Sequence, residues 1–106
     1  MSLNLFVKEA RRRTEVKSNL DKYLRLITEV VSKMDPCAEV YLFGSVAEGR
    51  DLVSSDIDVL VVTGIPPPLV MVKLWEAGIS DPFEIHVINK NELGLYRGRV
   101  KLVKIT

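Results

Sequence analysis

The chain is poor in cysteine, histidine and tryptophan, with one of each, and almost without net charge. Each scarcity removes a class of protein. Cys37 alone cannot form an internal disulfide, which fits a reducing cytosol and leaves the fold to its hydrophobic core. Fifteen basic residues against 14 acidic ones leave a formal charge of +1, with no global pull toward nucleic acid or an anionic membrane. The apolar stretch VLVVTGIPPPLVMV is broken by Gly64 and three prolines, so it falls short of a membrane span. MSLNLFVKEARRR lacks the basic leader and long hydrophobic core of a secretion signal. Neither an internal repeat nor a low-complexity linker is present. The expectation is a soluble, cytoplasmic protein.

What is present points to a globular chain. Of its 106 residues 47% are hydrophobic, enough for one compact domain over residues 1–106 with a modest core. Val16, Leu20, Leu24, Ile27 and Val31 recur at helical spacing and predict a helix over 15–33, with Thr14 as N-cap and Asp35-Pro36 as the stop. Strands are predicted at 39–43, 57–62 and 82–88, with a helix at 69–77 closed by Gly78. Asn89 to Arg97 reads as a short helix or loop, and Arg99 to Ile105 as an edge strand. This order implies an α/β (α+β) fold, a small mixed β-sheet with helices packed mainly on one face.

Two aspartates one residue apart, Asp56 and Asp58, open the second strand. Side chains at i and i+2 share a strand face, so both carboxylates leave the sheet together while Ile57, Val59 and Val61 face the helices. Such close like charges repel, which favours protonation of one of them or a divalent cation between them, and short, hard aspartate oxygens suit Mg²⁺ or Mn²⁺. Glu84 and His86 repeat the pattern on the third strand. If that strand lies beside the second, three carboxylates gather as metal-assisted phosphoryl or nucleotidyl transfer requires. Upstream, Gly44 ends a strand, and Ser45 to Glu48 can form a helical turn, closed by Gly49, that presents N–H groups and a hydroxyl to phosphate. A lone D-x-D is common at solvated strand ends, a lone G-S marks any turn, and a lone histidine is more often a surface or core residue. The combination is what carries the reading.

Gly44-Ser45, ten intervening residues and Asp56-Ile57-Asp58 resemble the signature of the DNA polymerase β-type nucleotidyltransferase superfamily, in particular its minimal nucleotidyltransferase (MNT) branch. The resemblance covers most of the chain. It implies that Gly44 and Ser45 hold nucleotide phosphates, with Ser55 of the S-D-I-D strand among the cofactor-binding candidates. It further implies that Asp56 and Asp58 bind Mg²⁺ (or Mn²⁺), that Glu84 completes the catalytic and metal-binding set, and that ATP is the nucleotide. Related small proteins pair with HEPN-domain partners as toxin–antitoxin modules, and some transfer AMP to a partner tyrosine. Two positions depart from the pattern. Glu48 stands where many relatives have a basic residue, leaving Arg50 as the substitute, and the third acid is a glutamate where aspartate is common.

Arg11, Arg12 and Arg13 read as a solvated patch ahead of a helix, with phosphate or RNA contact and docking to an acidic partner as competing readings. Trp75 is expected to pack against the sheet. The small size leaves the acceptor surface to a partner or to self-association.

Overall fold

The computed structural model describes residues 3–52 and 54–105. Helices α1 (Leu3–Ser18) and α2 (Leu20–Met34) lead into β1 (Glu39–Phe43) and a four-residue helix, α3 (Gly44–Ala47). Strand β2 (Ile57–Val62), helix α4 (Pro67–Glu76) and strand β3 (Phe83–Ile88) follow. A 3-10 helix (Lys90–Leu95) and the two-residue strand β4 (Val103–Lys104) end the described chain. The sheet has the order β3-β2-β1-β4, with β2 and β3 parallel and β1 antiparallel to both its neighbours.

Alternation along the strands sorts the core. Val40, Leu42, Ile57, Val59, Val61 and Phe83 face one layer, against Val16 of α1, Leu24, Ile27 and Val31 of α2, and Val70 and Leu74 of α4. Tyr41, Phe43, Leu60, Val62 and Ile88 face the other way, covered by Leu93, Tyr96, Val100 and Leu102. Complete burial of a side chain such as Leu60 or Ile27 contributes roughly 1.5–3 kcal/mol. Among the described residues, no helix is long and apolar enough to cross a membrane.

Local chemistry sets the element ends. Pro67 fits the first turn of α4, where an N–H would have no partner. Gly78 (φ +92°) closes that helix, with Ile79 N–H on the Leu74 carbonyl and Gly78 N–H on that of Trp75. Asn89 and Glu92 cap each other's backbone at the 3-10 helix.

Three expectations need correction. The helix expected over 15–33 is two helices, and Thr14 lies inside α1 rather than at a cap. Asn19 makes the break: its side-chain amide donates to the Glu15 carbonyl at 2.9 Å, offering α1 a C-terminal partner that competes with continuing the helix. The edge strand expected over 99–105 shrinks to Val103–Lys104, because Val100 and Leu102 are drawn over the second apolar face. Trp75 does not pack on the sheet but is 73% exposed. Val70 and Leu74, four apart, take the inward stripe of α4, and the next residue along is rotated away from it.

Candidate active site

Strand β1 delivers the chain to Gly44, whose φ of +76° is in the left-handed region open to glycine. A Cβ there would overlap Oδ2 of Asp58, so this turn and the second aspartate pack with no room between them. Helix α3 is a single turn. Glu48 N–H donates to the Gly44 carbonyl at 3.1 Å and Arg50 N–H to that of Ser45 at 2.8 Å, before and after Gly49 (φ +71°). The first N–H groups of any helix lack acceptors within it, and here they follow a residue in contact with Asp58. Glu48 and Arg50 pair with each other at 3.2 Å, both largely solvent-facing.

The parallel pairing of β2 with β3 sets Asp58 directly opposite Glu84, with His86 two residues further along the same face. Oxygens of Asp58 and Glu84 and a nitrogen of His86 lie within 4.8 Å of one another. His86 Nε2 is 3.4 Å from Glu84 Oε1 and 3.7 Å from Asp58 Oδ1. It is buried and makes no hydrogen bond, and its ring packs edge-on against Phe43 at 5.1 Å. Burial raises the Asp58 carboxyl above its ordinary range, and the Glu84 charge raises it further, with a smaller push from Asp56 and an opposing pull from His86. A crowded, half-buried carboxylate beside an unpartnered imidazole nitrogen suits a divalent cation, and Asp58, Glu84 and His86 are the residues that would hold it.

Asp56 stands one residue before β2 with its side chain half exposed. It is not drawn into that cluster. Its Oδ1 accepts a hydrogen bond at 3.2 Å from Arg13 of α1, and the same guanidinium nitrogen reaches the carbonyls of Ser54 (3.1 Å) and Ser55 (3.2 Å). Four residues on, Lys17 binds the Leu52 carbonyl and pairs with Asp51 at 3.4 Å. The Ser55 hydroxyl is engaged inside the loop, accepting from Leu52 N–H at 2.9 Å. Arg12 lies over the Tyr23 ring at 5.6 Å and donates to the Asp81 carbonyl at 3.3 Å. Two of the three arginines expected to be solvated therefore fasten α1 to the rest of the molecule, and Arg13 fastens it to the loop beside the acids.

The site thus joins Gly44, Asp58 and Glu84 as the strand pattern led one to expect, and adds His86 and Arg13. The i, i+2 spacing of Glu84 and His86 already put the histidine on that face. Nothing local signalled Arg13, whose contact with Asp56 spans 43 residues.

A nucleotidyltransferase domain family matches residues 24–104. The chain belongs to that family. This nucleotidyltransferase domain is also similar to the crystal structure of a candidate nucleotidyltransferase from Sulfolobus solfataricus, at 29% identity and a TM-score of 0.61. That likeness covers 85% of this chain and 84% of the other. No curated protein sequence matches. The match takes in the glycine-flanked turn, both aspartates and Glu84, and starts after Arg13.

Proposed function

We propose that this nucleotidyltransferase domain is a Mg²⁺-dependent (or Mn²⁺-dependent) enzyme that transfers AMP from ATP to a hydroxyl of a HEPN-type partner protein and so acts as its antitoxin. The observation that carries the reading is the register of β2 on β3, which sets Glu84 against Asp58 while the Gly44 turn abuts the same carboxylate. In this reaction the acceptor oxygen bonds to the α-phosphorus, the bond to the bridging oxygen breaks, and pyrophosphate leaves. Gly44 admits the triphosphate without a side chain in its path, and Ser45 contacts it. Asp58 and Glu84 would hold the metal, Asp56 flanks them at the mouth of β2, and Glu84, more exposed than Asp58, would bind the metal or accept the hydroxyl proton. A bound divalent cation supplies positive charge to the phosphate oxygens.

A second reading, neutralisation by occlusion with little or no catalysis, draws support from the Glu48–Arg50 pair, which leaves the one basic side chain at the turn already matched by an acid. Transfer to RNA or a small molecule would keep the chemistry and change the acceptor. The deciding experiment mixes the protein with its neighbouring gene product, Mg²⁺ and labelled nucleotides, then weighs both proteins. The enzyme reading expects an AMP adduct on the partner, lost in Asp56→Asn and Asp58→Asn while binding persists. Neutralisation that survives both substitutions with no adduct selects occlusion, and an adduct found only on RNA moves the acceptor.

A further inference from the structure

His86 is the one histidine of the chain. Its Nε2 is buried, lacks a hydrogen bond and sits between two carboxylate oxygens, 3.4 Å from Glu84 and 3.7 Å from Asp58. An unsatisfied buried nitrogen costs on the order of 1–3 kcal/mol, so a group that leaves it unpaired needs a compensating partner in the working state. Ligands adjacent on one octahedral ion, with bonds of about 2.1 Å, lie about 3 Å apart and opposite ones about 4 Å apart. The two separations from His86 Nε2, 3.4 and 3.7 Å, fall in that span before any rearrangement. The ring is held in place by Phe43 on one side, and strand β3 fixes His86 relative to Glu84.

We propose that His86 Nε2 is a direct metal ligand, completing an Asp58–Glu84–His86 set that prefers a first-row transition-metal dication over Mg²⁺. The proposal rests on the metal-dependent reading above and makes it more specific. Imidazole is a softer donor than carboxylate; it bonds readily to first-row transition ions, whereas Mg²⁺ binds oxygen almost exclusively and keeps much of its water. An all-carboxylate site has no such reason to discriminate. The same nitrogen has to be unprotonated to bind, so ligation also fixes which ring nitrogen carries the proton.

The test uses the full chain without a histidine tag, loaded with Mn²⁺ in the absence of nucleotide. Because the protein has a single histidine, a directly coordinated ¹⁴N coupling in the pulsed electron paramagnetic resonance of bound Mn²⁺ has one possible imidazole source. The expected result is that coupling in the native protein, its loss in His86→Gln, and a fall in Mn²⁺ affinity of about tenfold or more, with Mg²⁺ affinity little changed. Bound Mn²⁺ without ¹⁴N coupling overturns the ligand assignment and leaves a carboxylate metal site standing. Failure of the native protein to bind Mn²⁺ at all overturns the assignment and the metal-dependent reading together. The spectrum of the native protein decides the matter even if His86→Gln does not fold.

Discussion

Asp58 carries a charge that the metal-free protein accommodates poorly. It is partly buried, faces Glu84 across the sheet, and its carboxyl is pushed toward the protonated form. Replacing it with the isosteric neutral Asn removes both the desolvation cost and the repulsion. Asp58→Asn is therefore expected to raise the melting temperature of the metal-free protein at neutral pH by a few degrees while abolishing activity. In the native protein added divalent cation should raise the melting temperature by mass action, and in the variant it should not. Scanning fluorimetry with and without metal checks both. The same residue shows what could be read in advance. Its face and its position opposite an acid on a neighbouring strand follow from the period of a strand. That His86 rather than Asp56 stands within ligand distance of it does not, because Asp56 is drawn toward α1 by Arg13, a contact without local sequence signature.

Elements show the same division. The three long strands and α4 were legible because each is a run of strand formers, or an apolar stripe, punctuated by glycine or proline. Helix α1 was not, because it buries only Val16 among its described side chains and its attachment is polar. A second polar tie joins the end of α2 to the end of β2: the buried Thr63 hydroxyl donates to Asp35 Oδ2 at 2.6 Å, and Cys37 N–H donates to Oδ1 at 3.0 Å. The Thr63 hydroxyl foremost, and the Cys37 N–H with it, holds the Asp35 carboxyl below its ordinary range. A folded-state value below the unfolded one contributes stability above an unfolded pKa of about 3.9, and that contribution is lost as pH falls through the folded value. Thr63→Val keeps the shape and removes both the donor to Asp35 and the acceptor of Ile65 N–H at 3.2 Å. The variant is expected to melt lower than the native protein at pH 7, with the gap narrowing as the pH approaches about 2, below the ordinary carboxylate range. Melting curves across that interval test it, and a gap that is constant with pH would assign the effect to packing and the lost Ile65 N–H bond rather than to Asp35.

At the scale of the whole molecule, the outer face of α4 carries Leu69, Met71, Val72 and Trp75, each between 43% and 73% exposed. The chain's one tryptophan thus reports from the surface. Its emission should peak where solvated indole emits and be quenched efficiently by iodide, and Trp75→Glu should change folding stability by no more than about 0.5 kcal/mol. A blue-shifted, protected emission from the monomer would contradict this placement. The contact of the Gly44 turn with Asp58 has a consequence at this scale too. One added methyl, Gly44→Ala, forces a left-handed residue, at a cost of about 1–2 kcal/mol, and displaces the Asp58 carboxylate, yet it removes no charge, no donor and no part of the outer surface. Under the proposed function it would be a separation-of-function allele, expected to keep the face offered to the proposed partner and to lose metal uptake and transfer together. For the partner proposed above, neutralisation by that allele in a cell would mean that contact alone suffices, and its failure with the fold intact would mean that silencing is chemical.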